Sequence, residues 1–83
     1  MNRKKLLQKI IGVSKNVKFA EMVKLVEGFG FQLSRTEGSH YIFNRPDIPE
    51  LVNLQNVKGE AKPYQVRQFL KLVEKYNLKL EDS

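Results

Sequence analysis

Three stretches of the chain repeat apolar residues at the spacing of an α-helix. The pairs Leu6-Leu7 and Ile10-Ile11 recur four positions apart and stop at Gly12, which predicts a short amphipathic helix over residues 3–12. Two further stripes follow the i, i+3, i+4, i+7 spacing: Phe19, Met22, Val23 and Val26; and Val66, Phe69, Leu70 and Val73. They predict helices from about Phe19 to Glu27 and from Pro63 to about Tyr76, each with one face on a core.

Between the second and third helices the pattern changes to alternation, which indicates β-strands. Phe31 and Leu33 alternate with polar residues and predict a half-buried strand, and residues 40–44 and 51–54 predict two more. The segment 45–49 contains two prolines, so it is expected to be a loop. Residues 55–62 are polar and include a glycine, and they predict a mobile basic loop.

The order of these elements, α-α-β-β-β-α, predicts an α+β fold with a small three-stranded antiparallel sheet packed on helices. A sheet of this size cannot cover its own apolar side, so the helices are expected to cover one face. We expect a single domain over residues 1–83, with a helical extension at 1–16, a core at 17–78 and a frayed tail at 79–83. Alternation leaves open which face carries the single histidine, because Tyr41 and Phe43 share one face, His40 and Ile42 share the other, and both contain apolar residues.

Composition limits the classes of function. The chain has 83 residues, 41% hydrophobic, which is enough for one modest core. It has no cysteine, so disulfides and cysteine-based metal sites or catalysis are excluded. No apolar run approaches the roughly 20 residues of a membrane span, and we expect a cytoplasmic protein. Fifteen Lys and Arg against nine Asp and Glu give a formal charge of +6, which favours polyanionic partners, nucleic acid first.

The segment Glu37-Gly38-Ser39-His40 is the strongest candidate for chemistry. Gly38 can adopt a positive φ and Ser39 can bond the turn backbone, so the pair suits a tight turn that delivers His40 to the start of a strand. An imidazole can both accept and give a proton near neutrality. The competing interpretation is that a lone histidine in a small protein serves packing or lies on the surface.

Cleavage of RNA without a metal needs a base, an acid and positive charge on the phosphorane-like transition state. One imidazole fills only one proton role well, so His40 with nearby cations would give a slow nuclease. The candidate RNA contacts are Arg35, Lys58, Lys62, Gln65 and Arg67, for which the alternative is a solvated surface. One histidine and scattered carboxylates show no metal-ligand spacing, so neither a metal nor another cofactor is predicted.

Two motifs carry a resemblance to a known family. Gly38-Ser39-His40 followed by Tyr41-Ile42-Phe43, together with the stretch Leu54 to Val66 that includes Lys62-Pro63-Tyr64-Gln65, resembles the HicA (YcfA-like) toxins. The resemblance implies a fold like the double-stranded RNA-binding domain, cleavage of mRNA, inhibition by a HicB antitoxin, and a catalytic role for His40. Many members have a second histidine where this chain has Gln55, and glutamine cannot shuttle a proton.

These observations predict a toxin that cleaves mRNA as a metal-independent endoribonuclease, with His40 as general acid or base and a HicB-like antitoxin as partner. Two alternatives remain open: a non-catalytic RNA-binding domain of the same fold, and a partner-binding remnant whose loops an antitoxin occupies. The first shares fold and charge with the nuclease and differs only in what His40 does.

Overall fold

The computed structural model describes residues 3–81, which form three helices and four strands. The helices are α1 (Arg3–Gly12), α2 (Phe19–Gly28) and α3 (Pro63–Lys75). The strands are β1 (Gln32–Glu37), β2 (His40–Arg45), β3 (Ile48–Val57) and β4 (Glu60–Ala61). The strands form one antiparallel sheet in the order β1-β2-β3-β4. The predicted α+β class is confirmed, and the helices lie where the apolar stripes place them.

The core lies between the helices and one face of the sheet. Phe43, Val52 and Leu54 point into it from the strands. Phe69 of α3 meets the rings of Phe29 and Phe31 edge-on, with ring centroids 5.6 and 5.7 Å apart. Burying several aromatic rings on one another stabilises a core that is small for its surface. The remaining buried members are Leu6, Ile10, Val17, Phe19, Met22, Leu25, Val26, Ile48, Ala61 and Val66.

The prediction of three strands and a mobile loop over residues 55–62 was wrong. β3 continues to Val57, turns through Lys58 and Gly59, and returns as β4. Both turn residues have positive φ, 53° and 87°, as a two-residue hairpin turn of the primed type requires, and the Asn56 side chain accepts a hydrogen bond from the Gly59 N–H at 2.8 Å. A lysine is unusual at the first position of such a turn, so the sequence did not indicate a hairpin here.

The prediction of a loop over residues 45–49 was also too long. β2 reaches Arg45 and β3 starts at Ile48, so only Pro46 and Asp47 form the turn. The Arg45 Nε donates to Asp47 Oδ1 at 2.8 Å across it. Pro49 is tolerated inside β3 because β4 pairs only with residues 56 and 57, which leaves the outer edge of β3 without a strand at Pro49.

β1 is an edge strand, and the prediction that it is half-buried was wrong. Every residue of β1 is exposed, and Leu33 keeps 48% of its surface in contact with solvent. A bulge between Leu33 and Arg35 shifts the pairing with β2. Phe31, which precedes the strand, takes the buried place instead. The alternation therefore located the strand and was right for Phe31, and it was wrong for Leu33.

Two segments outside the sheet, one between α1 and α2 and the other after α3, are bonded to the rest of the fold. The segment between α1 and α2 bonds to β4, with the Ala61 N–H donating to Val17 O and the Phe19 N–H to Gly59 O, 2.9 and 2.8 Å. The tail was expected to fray from residue 79, but Leu80 packs on the core and the Glu81 N–H donates to Gly28 O at 2.9 Å. The parts of the predicted extension and tail at residues 1–2 and 82–83 lie outside the described residues.

Candidate active site on the open face of the sheet

No helix within residues 3–81 packs on one face of the sheet, and His40 lies on that face. Tyr41 packs on the opposite face, its ring 4.7 Å from that of Phe19 in α2. Ile42 is only 7% exposed, yet it is outside the core cluster. We call the helix-free side the open face and define it by the residues that the strand pairing places beside one another: Arg35, Glu37, His40, Ile42, Asn53 and Gln55. The question that alternation left open is thereby answered.

The turn before β2 places His40 at the end of its strand. Gly38 has a φ of 60°, and with Ser39 it forms the two-residue connection between the paired residues Glu37 and His40. A left-handed conformation at this position favours glycine, since a Cβ would strain the backbone. The Ser39 carbonyl accepts a hydrogen bond from the Asn56 N–H at 2.9 Å, which fixes the turn to β3. The predicted tight turn is confirmed.

The His40 ring is half-buried and is held by a neighbouring strand. Its Nδ1 lies 3.2 Å from Asn53 Oδ1, within hydrogen-bonding distance. Gln55 pairs directly with His40 in the register between β2 and β3, and its Nε2 donates to Ser39 Oγ at 3.3 Å. Glu37 pairs with His40 on the other side, from β1. The imidazole thus lies between an edge strand and β3 with an amide on one ring nitrogen.

Gln65 does not lie where an RNA contact requires it. Its side chain is buried, with 3% of the residue exposed. Its Oε1 accepts a hydrogen bond from the Gln55 backbone N–H at 2.7 Å, on the edge of β3 that no strand covers there. A buried backbone donor without a partner is costly, so the first turn of α3 supplies an acceptor in place of a neighbouring strand. Gln65 therefore supports the site from within instead of contacting a ligand.

The predicted cations lie on different parts of the fold. Arg35 lies on the open face, where its Nε bonds Glu37 Oε1 at 3.1 Å. Lys58 is exposed in the β3–β4 turn, three residues after Gln55. Lys62 follows β4, with its Nζ 5.9 Å from the centre of the Tyr64 ring. Arg67 is exposed on α3. Only Arg35 belongs to the open face itself.

A second polar cluster lies where α3 ends, beside the start of β3. Glu50 accepts from Lys75 Nζ at 2.7 Å and from the Tyr76 hydroxyl at 2.6 Å. The hydrogen bond from Lys75, followed by that from Tyr76, lowers the pKa of the Glu50 carboxyl. The same bonds to Glu50 raise the pKa of Lys75 and of Tyr76. This cluster ties α3 to β3 and contains no predicted site residue.

Between that cluster and Gln65 lies a groove of about 170 Å³ along the outer edge of β3, lined by Leu51, Val52 and Asn53 and by Gln68, Phe69 and Leu72 of α3.

Within residues 3–81, no three His, Cys, Asp or Glu side chains come together as metal ligands would. None of the helices described is long and apolar enough to cross a membrane.

Sequence reasoning missed Asn53, whose side chain touches His40. The residue is diagonal to His40 across two strands, and only the strand register brings the pair together. The one available signal is the stretch Asn53-Leu54-Gln55, in which two polar residues flank an apolar one and so share a face of the strand. That signal becomes useful only after the pairing of β2 with β3 is known.

Comparison with known proteins gives one positive result. A search of curated proteins and a search of solved structures each returned no match to the chain. A family model described as the HicA toxin of bacterial toxin–antitoxin systems matches residues 19–74, more than half of the chain. The match spans α2, the whole sheet with His40, and nearly all of α3, while α1 precedes it. The chain therefore belongs to the HicA toxin family, the toxin component of a toxin–antitoxin pair.

Proposed function

We propose that this toxin is a metal-independent endoribonuclease that cleaves mRNA with His40 as its general base or acid. The observation that carries the proposal is the position of the imidazole: a strand end on the open face, where an extended nucleic acid can approach without meeting a helix. Membership of the HicA family supports a toxin, and the formal charge of +6 supports a polyanionic substrate.

The proposed step is an attack of the ribose 2′-hydroxyl on the adjacent phosphorus. His40 takes the hydroxyl proton, the O2′–P bond forms, the P–O5′ bond breaks, and the departing 5′-oxygen takes a proton from solvent. Arg35, on the open face beside Ile42, would neutralise the phosphate, and Lys58 and Lys62 would hold the RNA backbone. General acid–base help is worth on the order of 10² to 10⁴ in rate, so a single imidazole gives a slow enzyme.

Gln55 contributes to this chemistry without moving a proton. It pairs with His40 in register, so its amide lies where a second histidine would flank the first. An amide can donate a hydrogen bond to a phosphate oxygen but cannot act as acid or base. We therefore assign it to substrate orientation, and this is consistent with a slow rate.

The test is cleavage of a defined mRNA by purified parent and His40→Ala protein. We expect the variant to lose cleavage and growth arrest while keeping its thermal unfolding midpoint, with Asn44→Ala, an exposed residue of the same strand, as the matched control. Cleavage by the parent is expected to survive EDTA. Equal cleavage by parent and His40→Ala would overturn the catalytic assignment, and activity lost to chelator and restored by Mg²⁺ would overturn the metal-independent one.

The same experiment addresses the alternative of an RNA-binding domain that does not cut. Such a domain would bind RNA with a salt-dependent affinity and leave it intact, and His40→Ala would alter binding or nothing. Binding without any cleavage by the parent protein would favour this alternative over the nuclease.

The antitoxin that the family implies is proposed to be HicB-like and to cover His40 directly. A standard interface of roughly 1,200 to 2,000 Å² would take in much of one side of a domain whose principal extents are 29, 27 and 22 Å. A surface with net charge +6 is met most favourably by an acidic partner, whose carboxylates speed association at low salt. The Gly38-Ser39 turn and the Lys58-Gly59 turn flank the end of the sheet that carries His40, and we propose them as contacts.

Hydrogen exchange on the free and antitoxin-bound toxin tests direct occlusion. We expect added protection at residues 38–43 in the complex, where the turn and β2 meet the open face. Blocked cleavage with no added protection in that segment would show inhibition from a distance, for example by sequestration in an oligomer, and would remove the contact proposal while leaving the nuclease proposal intact.

A further inference from the structure

We infer that Asn53 is a positioning residue that fixes the tautomer of His40 and thereby assigns the imidazole to the role of general base. The inference rests on the proposed function for its consequence in rate, but its structural part concerns one hydrogen bond on the open face. No sequence motif points to it, because Asn53 and His40 are 13 residues apart and meet only through strand pairing.

The geometry of the contact selects one tautomer. Asn53 Oδ1 lies 3.2 Å from His40 Nδ1, and an amide oxygen can only accept. The contact is therefore a hydrogen bond only when Nδ1 carries the proton, and in that neutral ring Nε2 keeps its lone pair free. Within residues 3–81, no hydrogen bond reaches Nε2 from another side chain. The ring nitrogen available to a substrate hydroxyl is thus the basic one, which suits the removal of a proton from the 2′-hydroxyl.

The same hydrogen bond serves the ring after it has taken the proton. An imidazolium still donates from Nδ1, so Asn53 keeps its acceptor role while Nε2 gains and loses the proton. Because the amide is neutral, it orients the charged ring without the strong stabilisation that a carboxylate would give. The ring can then release its proton in the next cycle, and every proton transfer takes place at one nitrogen.

The pairing of β2 with β3 determines where this contact lies. Ile42, between His40 and Asn44 in β2, pairs with Asn53 in register, which puts the short amide side chain diagonal to the imidazole on the same face. Gln55, the direct partner of His40 in the register, turns its amide to Ser39 Oγ, and among residues 3–81 it makes no hydrogen bond to the imidazole. Neither partner is fully buried, so the net worth of the bond is modest, and we expect its loss to cost about three- to tenfold in rate.

The chain offers a direct readout because it has a single histidine. In nitrogen-15 NMR of uniformly labelled protein above the titration range, the two imidazole signals belong to His40 alone, and their shifts report which nitrogen is protonated. We expect Nδ1–H in the parent and in Asn44→Ala, and a shift towards the Nε2–H form that free histidine prefers in Asn53→Ala. Asn53→Asp keeps an acceptor oxygen and is expected to retain Nδ1–H.

Steady-state cleavage kinetics supply the second readout. Asn53→Ala is expected to lower kcat about three- to tenfold with KM unchanged. Asn53→Asp is expected to restore the orientation and to move the acid limb of the pH–rate profile to higher pH, because a carboxylate stabilises the imidazolium. A structural role alone would not move that limb.

The outcomes separate this inference from the proposed function. Parent protein with an Nε2–H ring, or Asn53→Ala with unchanged tautomer and kcat, would overturn the inference whatever the activity. A parent that shows Nδ1–H, loses it in Asn53→Ala, and yet cuts no RNA would leave the positioning role standing and would overturn the nuclease. If Asn53→Ala does not fold, Asn53→Ser is measured in its place, because it also shortens the side chain and removes the amide acceptor.

Discussion

The two faces of the sheet use the same strands for different purposes, and β2 shows the division most clearly. Tyr41 and Phe43 point to the helices, where Phe43 is 1% exposed and belongs to the core. His40 and Ile42 point to the open face, which none of the described helices covers. Successive residues of a strand point to opposite sides, so neighbours one position apart divide stability from chemistry. Substitutions on the two faces should therefore differ in which property they change.

The largest expected effect on stability is on the helix-covered face. Phe43→Ala removes a buried ring from the core and is expected to lower the free energy of unfolding by about 3–5 kcal/mol. His40→Ala, three positions away on the open face, is expected to change it by less than about 1 kcal/mol. Urea unfolding of both variants measures the contrast. A loss above about 2 kcal/mol in His40→Ala would show that the histidine packs the fold and would remove the division between faces.

The second effect concerns the buried support beneath the open face. Gln65→Ala leaves the Gln55 N–H without its acceptor and is expected to cost about 1–3 kcal/mol in free energy of unfolding. Gln68→Ala, exposed on the same helix, is the matched control and should lie within about 0.5 kcal/mol of the parent. Equal stability of the two variants would mean that water satisfies the edge of β3, so that the side chain of Gln65 would be free for another role.

A smaller effect is expected at the rim of the open face, where cations would hold RNA phosphates. Lys58→Ala should weaken RNA binding at all sequences and reduce the salt slope by roughly 0.7 to 0.9 for each lost phosphate contact. Lys79→Ala is the control, because the tail packs beside Gly28 at the other end of the sheet. A salt titration of RNA binding measures this effect. An unchanged slope in Lys58→Ala would show that this lysine is solvated and contacts no phosphate.

The smallest effect is the pH dependence of the cluster that ties α3 to β3. The pKa of Glu50 is lowered in the fold by its bonds from Lys75 and Tyr76, so the unfolded chain binds more protons there. Its contribution to stability is present above the ordinary carboxyl pKa of about 4.3 and is lost as the pH falls through the lower folded value. Between pH 6 and pH 3 the parent should therefore lose more stability than Glu50→Gln. Glu27→Gln removes a carboxylate outside that cluster and should behave as the parent.

Sequence reasoning located the elements better than it located the contacts between them. Helical stripes such as that of α3 are local, and their spacing survives without knowledge of the fold. The turn at Gly38-Ser39 was equally local, and so was the identity of His40 as the candidate for chemistry. The hairpin at Lys58-Gly59 was missed because its first residue adopts a positive φ without being Gly, Asn or Asp.

The rest of the site depends on register, which the sequence does not state. A bulge in β1 and the irregularity between Phe43 and Arg45 decide which side chains become neighbours. The pairing of His40 with Gln55 and its bond to Asn53 both follow from that alignment. Gln65, a polar residue of the Lys62-Pro63-Tyr64-Gln65 motif, was named as a candidate RNA contact, while the fold buries it. Polar type alone does not separate a ligand contact from an internal acceptor.

The contact between Arg3 and Glu81 has a practical consequence for labelling this protein. The Arg3 Nη1 donates to Glu81 O at 3.2 Å, beside Gly28 at the end of α2. Arg45, at the far end of β2 from His40, bonds Phe29 O at the same place. A label attached at Arg3 or at Glu81 would therefore lie at the far end of the sheet, about 17 Å along the strand from the imidazole. Either position is then suited to a probe that must not touch the open face.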